Sequence, residues 1–168
     1  MATRDEWIAG ARPKTLPAAI APVLVGSGIA IYENGFSFII ALLALVVSLS
    51  LQVGVNYSND YSDGIRGTDN NRVGPVRLVG QQLASAESVK KAAFKCFGLA
   101  AVAGLLMMII SKEWILLPIG IASIAAAWFY TGGKNPYGYA GFGELFVFVF
   151  FGLVAVIGTS YTQTHQVT

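Results

Sequence analysis

Five continuous apolar segments are the feature that most constrains this chain. They lie at about 16–32, 36–55, 92–110, 114–130 and 142–161. Each is close to the roughly 17–25 residues that a helix needs to cross the hydrocarbon core of a bilayer. Strands of a membrane barrel would be shorter and would alternate apolar and polar residues. Because lipid offers no partners to backbone polar groups, the segments predict an all-α, polytopic membrane bundle with five transmembrane helices.

Composition and charge agree with a membrane protein. The chain is 55% hydrophobic and 12% charged, whereas soluble domains carry about 25% charged residues. The net charge of +2 gives no indication of a nucleic-acid partner, and the expected surroundings are a lipid bilayer. Cys96 is the only cysteine, so an intrachain disulfide is excluded. The first apolar segment lacks a cleavage pattern and is interpreted as a retained span.

The distribution of basic residues predicts the orientation of the chain. Ten of the eleven Lys and Arg residues lie before the first span, in or near the connection between spans two and three, or between spans four and five. Lys112 is the single basic residue of the remaining loops. Because Lys and Arg accumulate on the cytoplasmic side, the N-terminus and the 56–91 connection are predicted to be cytoplasmic. The expected location is the cell (inner, cytoplasmic) membrane, with several passes.

A row of polar side chains leaves the second apolar segment and forms the candidate site. We call it the polar stripe, and its members are Gln52, Asn56, Asn59, Asp60 and Asp63. At 100° per residue, the five side chains fall within an arc of about 100° on a helix. Polar groups at membrane depth usually face a cavity or a partner. Carboxylate and amide oxygens at the membrane boundary suit Mg²⁺ that carries a phosphorylated substrate.

Basic residues follow the polar stripe closely. Arg66, Arg72 and Arg77 come next in the chain, and guanidinium groups match the geometry of phosphate oxygens. Metal and arginine together would make a diphosphate a better leaving group. Apolar helices beside this site suit a lipid tail, so the pattern favours an amphiphilic diphosphate substrate. The alternative is that the aspartates only solvate a helix end and pair with these arginines.

Three stretches of the chain resemble the UbiA superfamily of intramembrane prenyltransferases. The string at 59–63, NDYSD, is similar to the first aspartate-rich motif of that superfamily. The stretches 12–26, 56–69 with 72–75, and 138–144 together resemble, more narrowly, the branch that prenylates 1,4-dihydroxy-2-naphthoate in menaquinone biosynthesis. The aspartate motif by itself marks only the superfamily, whereas the combination of three stretches is more specific.

The resemblance implies both a fold and an activity. It implies a bundle of nine spans, of which this chain would supply about half, and Mg²⁺-dependent ionisation of a polyprenyl diphosphate. The allylic group would replace the carboxylate of 1,4-dihydroxy-2-naphthoate, which gives demethylmenaquinone, CO₂ and diphosphate. The residues that match the metal-binding positions are Asn56, Asp60 and Asp63, of which the two aspartates are the catalytic candidates. The candidate diphosphate contacts are Arg66, Arg72 and Lys134.

Two departures from the family pattern qualify this expectation. Gly67 stands where the longer form of the first motif has a third aspartate. The second aspartate-rich motif of the family has no counterpart after Asp69. Residues 1–168 are therefore expected to form a single transmembrane prenyltransferase domain that is incomplete at the C-terminus, and the chain is expected to be inactive by itself.

Three other functions were weighed against the same residues. The first is a related prenyltransferase with another aromatic acceptor, such as 4-hydroxybenzoate. The second is a CDP-alcohol phosphotransferase, but 63–66 (DGIR) lacks the alanine and the further aspartates of that pattern. The third is a cation channel or transporter. Transporters place such groups near the middle of the membrane, whereas here they are expected at the boundary beside arginines.

Overall fold

The chain folds into a bundle of helices. A computed structural model describes residues 2–68 and 75–167. In these two ranges every regular element is helical, which confirms the predicted all-α membrane class. The elements are α1 (Arg4–Gly10), a 3₁₀ turn (Pro13–Thr15), α2 (Leu16–Tyr32), α3 (Phe38–Arg66), α4 (Ala86–Ser111), α5 (Leu116–Phe129), α6 (Gly143–Val147), a π-helical segment (Phe148–Val154) and α7 (Ala155–Thr164).

Four stretches of the described chain are helical and apolar enough to cross a membrane. They are Arg4–Tyr32, Phe38–Arg66, Ala86–Ser111 and Gly143–Thr164, the last of which joins α6, the π segment and α7. The fourth predicted span, at 114–130, corresponds to α5, which has only 14 residues. At 1.5 Å per residue, α5 is about 21 Å long and is shorter than the hydrocarbon core of roughly 30 Å. Irregular turns on both sides of α5 occupy the rest of that apolar segment.

Local sequence explains where the helices begin and end. Thr3 and Glu6 form a reciprocal capping box at the start of α1. Ser85 caps α4 by accepting a hydrogen bond from the Ser88 backbone N–H. The C-terminal end of α3 is set by Gly67, whose φ of 73° is left-handed and costs glycine little. The sequence alone predicts that Gly64 and Gly67 together end this helix, but Gly64 lies inside α3.

Helix α3 is the centre of the bundle and contacts α2, α4, α5 and α7. Gly54 lets α4 approach closely, since a Cβ at this position would lie 2.5 Å from the Phe97 ring. Gly26 does the same between α2 and α7, where an added Cβ would lie 2.6 Å from the Val156 carbonyl oxygen. Lipid removes the hydrophobic driving force between helices, so their association depends on close packing, which small residues at helix crossings permit. The bundle therefore holds the polar end of α3 between several neighbours.

Residues 75–85, which precede α4, fold back over the end of α3. Leu78 is fully buried and packs with Tyr57, and it lies close to Gly10 of α1. The Tyr57 hydroxyl donates a hydrogen bond to the Trp7 carbonyl oxygen at 2.9 Å. Residues 75–85 therefore form a turn that α1 and α3 hold in place, and we call it the returning segment.

Candidate functional site

Four of the five members of the polar stripe are buried in the structure, and Gln52 is half-buried. The exposed fractions are 3% for Asn56, 9% for Asn59, 1% for Asp60 and 6% for Asp63. Buried polar side chains need hydrogen-bond partners, since an unpaired one costs free energy. The hydrogen-bond partners of the stripe come from chain segments that are far away in sequence.

Asp60 holds the returning segment. Its two carboxylate oxygens accept hydrogen bonds from the backbone N–H groups of Leu78 at 2.7 Å and Val79 at 3.0 Å. Arg12, on the other side of the site, interacts electrostatically with the same carboxylate. Asp60 is therefore a structural acceptor as well as a candidate metal ligand.

Asp63 is held by two side chains from different loops. The Tyr139 hydroxyl donates a hydrogen bond to one carboxylate oxygen. The other oxygen lies 3.8 Å from the Arg77 guanidinium, and both side chains are buried. Burial, followed by the hydrogen bond to Asp63, raises the pKa of Tyr139, so the phenol keeps its proton. Asp63 thus joins the returning segment to the loop before α6.

The amide side chains of the stripe contact the start of the chain. The Asn56 amide donates hydrogen bonds to the Ala11 carbonyl oxygen at 2.8 Å and to the Thr15 hydroxyl at 3.0 Å. The Gln52 amide donates to the same hydroxyl at 3.1 Å. Between these contacts Arg12 adopts a left-handed backbone conformation with φ 54°. The 3₁₀ turn therefore closes the site on the side of α2.

The third side of the site is the loop that follows α5. The Thr131 hydroxyl donates a hydrogen bond to the Asn59 amide oxygen at 2.8 Å. The Arg66 guanidinium donates to the carbonyl oxygens of Thr131 and Gly133, and it lies 5.5 Å from the centre of the Tyr139 ring. Arg66 therefore ties α3 to this loop while its charge remains beside the stripe.

The three predicted diphosphate contacts have different outcomes. Arg66 lies at the site. Lys134 is exposed on the loop just beyond Gly133, and Arg72 lies outside the described residues. Arg77, one of the three arginines that follow the stripe in sequence, lies 3.8 Å from the Asp63 carboxylate. The structure adds Arg12, which interacts with the Asp60 carboxylate. The signal of Arg12 in the sequence is weak, because a basic residue in a loop is normally explained by the orientation of the protein.

A cavity of about 590 Å³ lies beneath the stripe. Its walls are mostly apolar and come from α2, α3, α4, α5 and the Gly143–Thr164 helix. Gln52, Asn56 and Asn59 line it, but Asp60 and Asp63 do not. The carboxylates therefore lie beyond the cavity, toward the returning segment, while the amides face the apolar space.

Aromatic side chains form one wall of this cavity. Tyr130, Tyr137, Phe146 and Phe150 all line it. The Tyr137 and Phe146 rings stack at 4.1 Å, and Phe150 follows at 6.0 Å from Phe146. Burial, followed by the proximity of Tyr130, raises the pKa of Tyr137 to about 12. Its hydroxyl therefore stays protonated and donates to the Ala126 carbonyl oxygen at 2.8 Å.

The oxygen atoms of the stripe are of the type that Mg²⁺ prefers. Mg²⁺ prefers hard oxygens and is usually held by one or two carboxylates together with water and substrate phosphates. Each carboxylate oxygen has two lone pairs, so the hydrogen bonds from Leu78, Val79 and Tyr139 do not by themselves exhaust the acceptor capacity of Asp60 and Asp63. Within 2–68 and 75–167, no group of three or more His, Cys, Asp or Glu side chains forms a ready-made metal cage. The described residues thus offer a two-carboxylate half-site.

Comparison with known proteins assigns the chain to a family. The model of the UbiA prenyltransferase family matches residues 19–168. The chain belongs to the UbiA prenyltransferase family. This confirms the family resemblance that the three stretches carried. No solved structure matches the chain.

Relatives in this family share most of the chain. A Mycobacterium tuberculosis protein named 1,4-dihydroxy-2-naphthoate octaprenyltransferase is 58% identical over 99% of this chain and 57% of its own length. An Escherichia coli protein of the same name is 37% identical over 95% of this chain and 54% of its own length. A Synechocystis protein named 2-carboxy-1,4-naphthoquinone phytyltransferase is 29% identical over 98% of this chain and 53% of its own length. The chain therefore spans about half the length of these curated relatives.

Proposed function

We propose that the whole protein transfers a polyprenyl group from polyprenyl diphosphate to 1,4-dihydroxy-2-naphthoate. The products are demethylmenaquinone, CO₂ and diphosphate, and the reaction requires Mg²⁺. The observation that carries this proposal is the 58% identity, over nearly the entire chain, to a relative named for this acceptor. The cavity beneath the polar stripe supports it, because an apolar space next to buried oxygens and arginines suits a lipid diphosphate.

In this proposal Asn56, Asp60 and Asp63 hold the metal, which would neutralise charge on the leaving diphosphate. Arg66 binds diphosphate oxygens through its guanidinium, and Arg72 and Lys134 are the further diphosphate contacts that we propose. Arg77 and Tyr139 orient Asp63, since both contact its carboxylate. The apolar walls of the cavity exclude water from the prenyl tail and from the acceptor that it alkylates.

The same proposal includes an orientation. The polar stripe, the returning segment and the loop after α5 lie at the end of the bundle where the basic residues collect. We assign this end to the cytoplasm and the protein to the cell membrane, because Lys and Arg accumulate on the cytoplasmic side. Both substrates would then reach the site from the cytoplasm or from the inner leaflet.

The test is the activity of the full-length protein in membranes supplied with both substrates. Product formation should stop with EDTA and return with Mg²⁺. Asp63→Asn should lower turnover about 100-fold or more, because it removes a ligand charge. Asp5→Asn, an exposed aspartate of α1, is the matched control and should be silent. Normal turnover with 4-hydroxybenzoate but not with 1,4-dihydroxy-2-naphthoate would overturn the assigned acceptor.

A second donor is favoured by one observation. The Synechocystis relative is named as a phytyltransferase, so a phytyl diphosphate is the competing donor. Its identity to this chain is half that of the Mycobacterium tuberculosis relative, and we rank it second. Competition between the two diphosphates in the same membrane assay decides between them.

A further inference from the structure

A basic groove lies at one end of α4, away from the polar stripe. We call it the lysine groove, and its members are Glu87, Lys90, Lys91, Phe94 and Lys95. Three ammonium groups and one carboxylate give it a formal charge of 3 − 1 = +2. Lys90 and Lys95 are five residues apart, which is about 7.5 Å along the helix axis. The groove is therefore a compact positive surface at one depth of the bundle.

Aromatic rings border the groove on the side of α5. The Lys90 ammonium lies 5.6 Å from the centre of the Tyr61 ring and 6.0 Å from the Trp128 ring. Phe94 packs against Trp128 at 4.8 Å. Tyr and Trp collect where hydrocarbon meets the head groups, and cation–π contacts hold a lysine in place. These rings therefore put the groove at head-group level with one lysine already oriented.

The face of α4 that bears the groove continues into the membrane as an exposed apolar strip. Val102, Leu106 and Ile109 follow Lys95 at i+7, i+11 and i+14, which is one face of a helix. Their exposed fractions are 56%, 47% and 56%. A lipid that places its head group among the lysines would thus have apolar surface for its acyl chains directly below.

We propose that the lysine groove binds the head group of an anionic phospholipid. The occupant carries a phosphate, which complements the +2 charge, and an acyl chain, which complements the strip below. Basic pockets beside transmembrane helices are typical sites for such head groups. A soluble phosphate would use the lysines but would leave the apolar strip uncovered. The inference is independent of the proposed catalytic function, since no member of the groove contacts the polar stripe.

Glu87 allows a second test of the proposed lipid site. Its carboxylate lies 2.6 Å from the Lys91 ammonium, so it competes with a phosphate for that lysine. Removing the Glu87 charge should therefore strengthen binding, whereas removing lysine charges should weaken it. If these lysines reflected only the general bias of basic residues toward one side of the membrane, the Glu87 and lysine substitutions would not have opposite effects on the binding of one lipid.

The experiment measures lipid retention on the detergent-purified full-length protein by native mass spectrometry, with phosphatidylglycerol and phosphatidylcholine as probes. Wild-type protein should retain phosphatidylglycerol in preference to phosphatidylcholine. Lys90→Gln/Lys95→Gln should weaken phosphatidylglycerol binding roughly 30-fold, and Glu87→Gln should strengthen it. Lys14→Gln/Lys112→Gln removes the same charge elsewhere and is the matched control. Glycerol phosphate, which lacks acyl chains, should not displace the lipid.

Several results would overturn the proposal. One is equal retention of the two lipids by wild-type protein. A second is an equal loss in the matched control, which would indicate a general charge effect. A third is full displacement by glycerol phosphate, which would indicate a soluble anion site. Lys90→Arg/Lys95→Arg keeps the charge and should retain the lipid. The unfolding temperature of Lys90→Gln/Lys95→Gln, compared with that of wild type, shows whether a loss of lipid binding in that variant comes from misfolding.

Discussion

At the scale of single residues, Asp60 has a structural task that its sequence motif did not indicate. Both of its carboxylate oxygens accept backbone hydrogen bonds from the returning segment. The carboxylate is 1% exposed as part of its residue, so water cannot replace these bonds. A loss of activity after removing Asp60 would therefore have two sources, the loss of a proposed metal ligand and the displacement of the returning segment, and different substitutions can separate them.

Asp60→Ala leaves the N–H groups of Leu78 and Val79 without acceptors. Each unsatisfied buried donor costs about 1–3 kcal/mol, so the unfolding temperature in detergent should fall and trypsin should cut after Arg77. Asp60→Asn keeps one carbonyl acceptor, so it should lose less stability while still losing the ligand charge. Wild-type unfolding and cleavage of Asp60→Ala would contradict the structural role of this carboxylate.

Tyr139 gives a prediction in pH. Its pKa is raised from 10.0 by burial and then by its hydrogen bond to Asp63. A group with a raised folded-state pKa contributes stability that is fully present below the unfolded pKa and disappears as pH rises through the folded pKa. The difference in unfolding temperature between wild type and Tyr139→Phe should therefore be constant from pH 7 to about 9 and shrink above about 10. A difference that persists unchanged at higher pH would contradict this hydrogen bond.

At the scale of elements, the apolar pattern predicted the helices well, and their ends less well. The predicted span at 16–32 coincides with α2 (Leu16–Tyr32). Helix α3 continues to Arg66, as the polar stripe implied, because polar residues do not end a helix when neighbours satisfy them. Gly64 was placed at that helix end, yet it lies inside α3 where a Cβ would come within 2.4 Å of Val79. A glycine that ends a helix and one that admits a neighbour look the same in sequence.

The two glycines of α2 provide a test of the close approach between helices. Gly26→Ala would place a Cβ 2.6 Å from the Val156 backbone oxygen, which cannot move aside without shifting α7. The expected cost is about 1–3 kcal/mol. Gly28→Ala meets nothing within 4 Å and should be neutral or slightly stabilising, since alanine favours helix. Thermal unfolding in detergent measures both, and equal effects would contradict a tight contact between Gly26 and α7.

At the scale of the whole molecule, several helices together line the cavity in which we propose that the substrates bind. Ala101 lines it, whereas the next residue of α4, Val102, is 56% exposed on the outer face. In the full-length protein, Ala101→Trp should fill part of the space for the substrates and lower kcat/KM at least about tenfold. Val102→Trp is the adjacent control and should leave the kinetics unchanged. Equal turnover in the two variants would contradict the proposal that this cavity holds the substrates.

Sequence alone determined the membrane class, the helical segments, the family and the stretch of α3 that carries the polar stripe. These follow from local properties, namely the length of apolar runs and the spacing of polar residues on a helix. Tertiary structure alone decided which groups meet that stripe: Leu78, Arg77 and Tyr139 on one side, and the 3₁₀ turn on the other. Such partners depend on how loops return across the end of a bundle, and the packing of distant segments, rather than the pattern along any one of them, fixes that path.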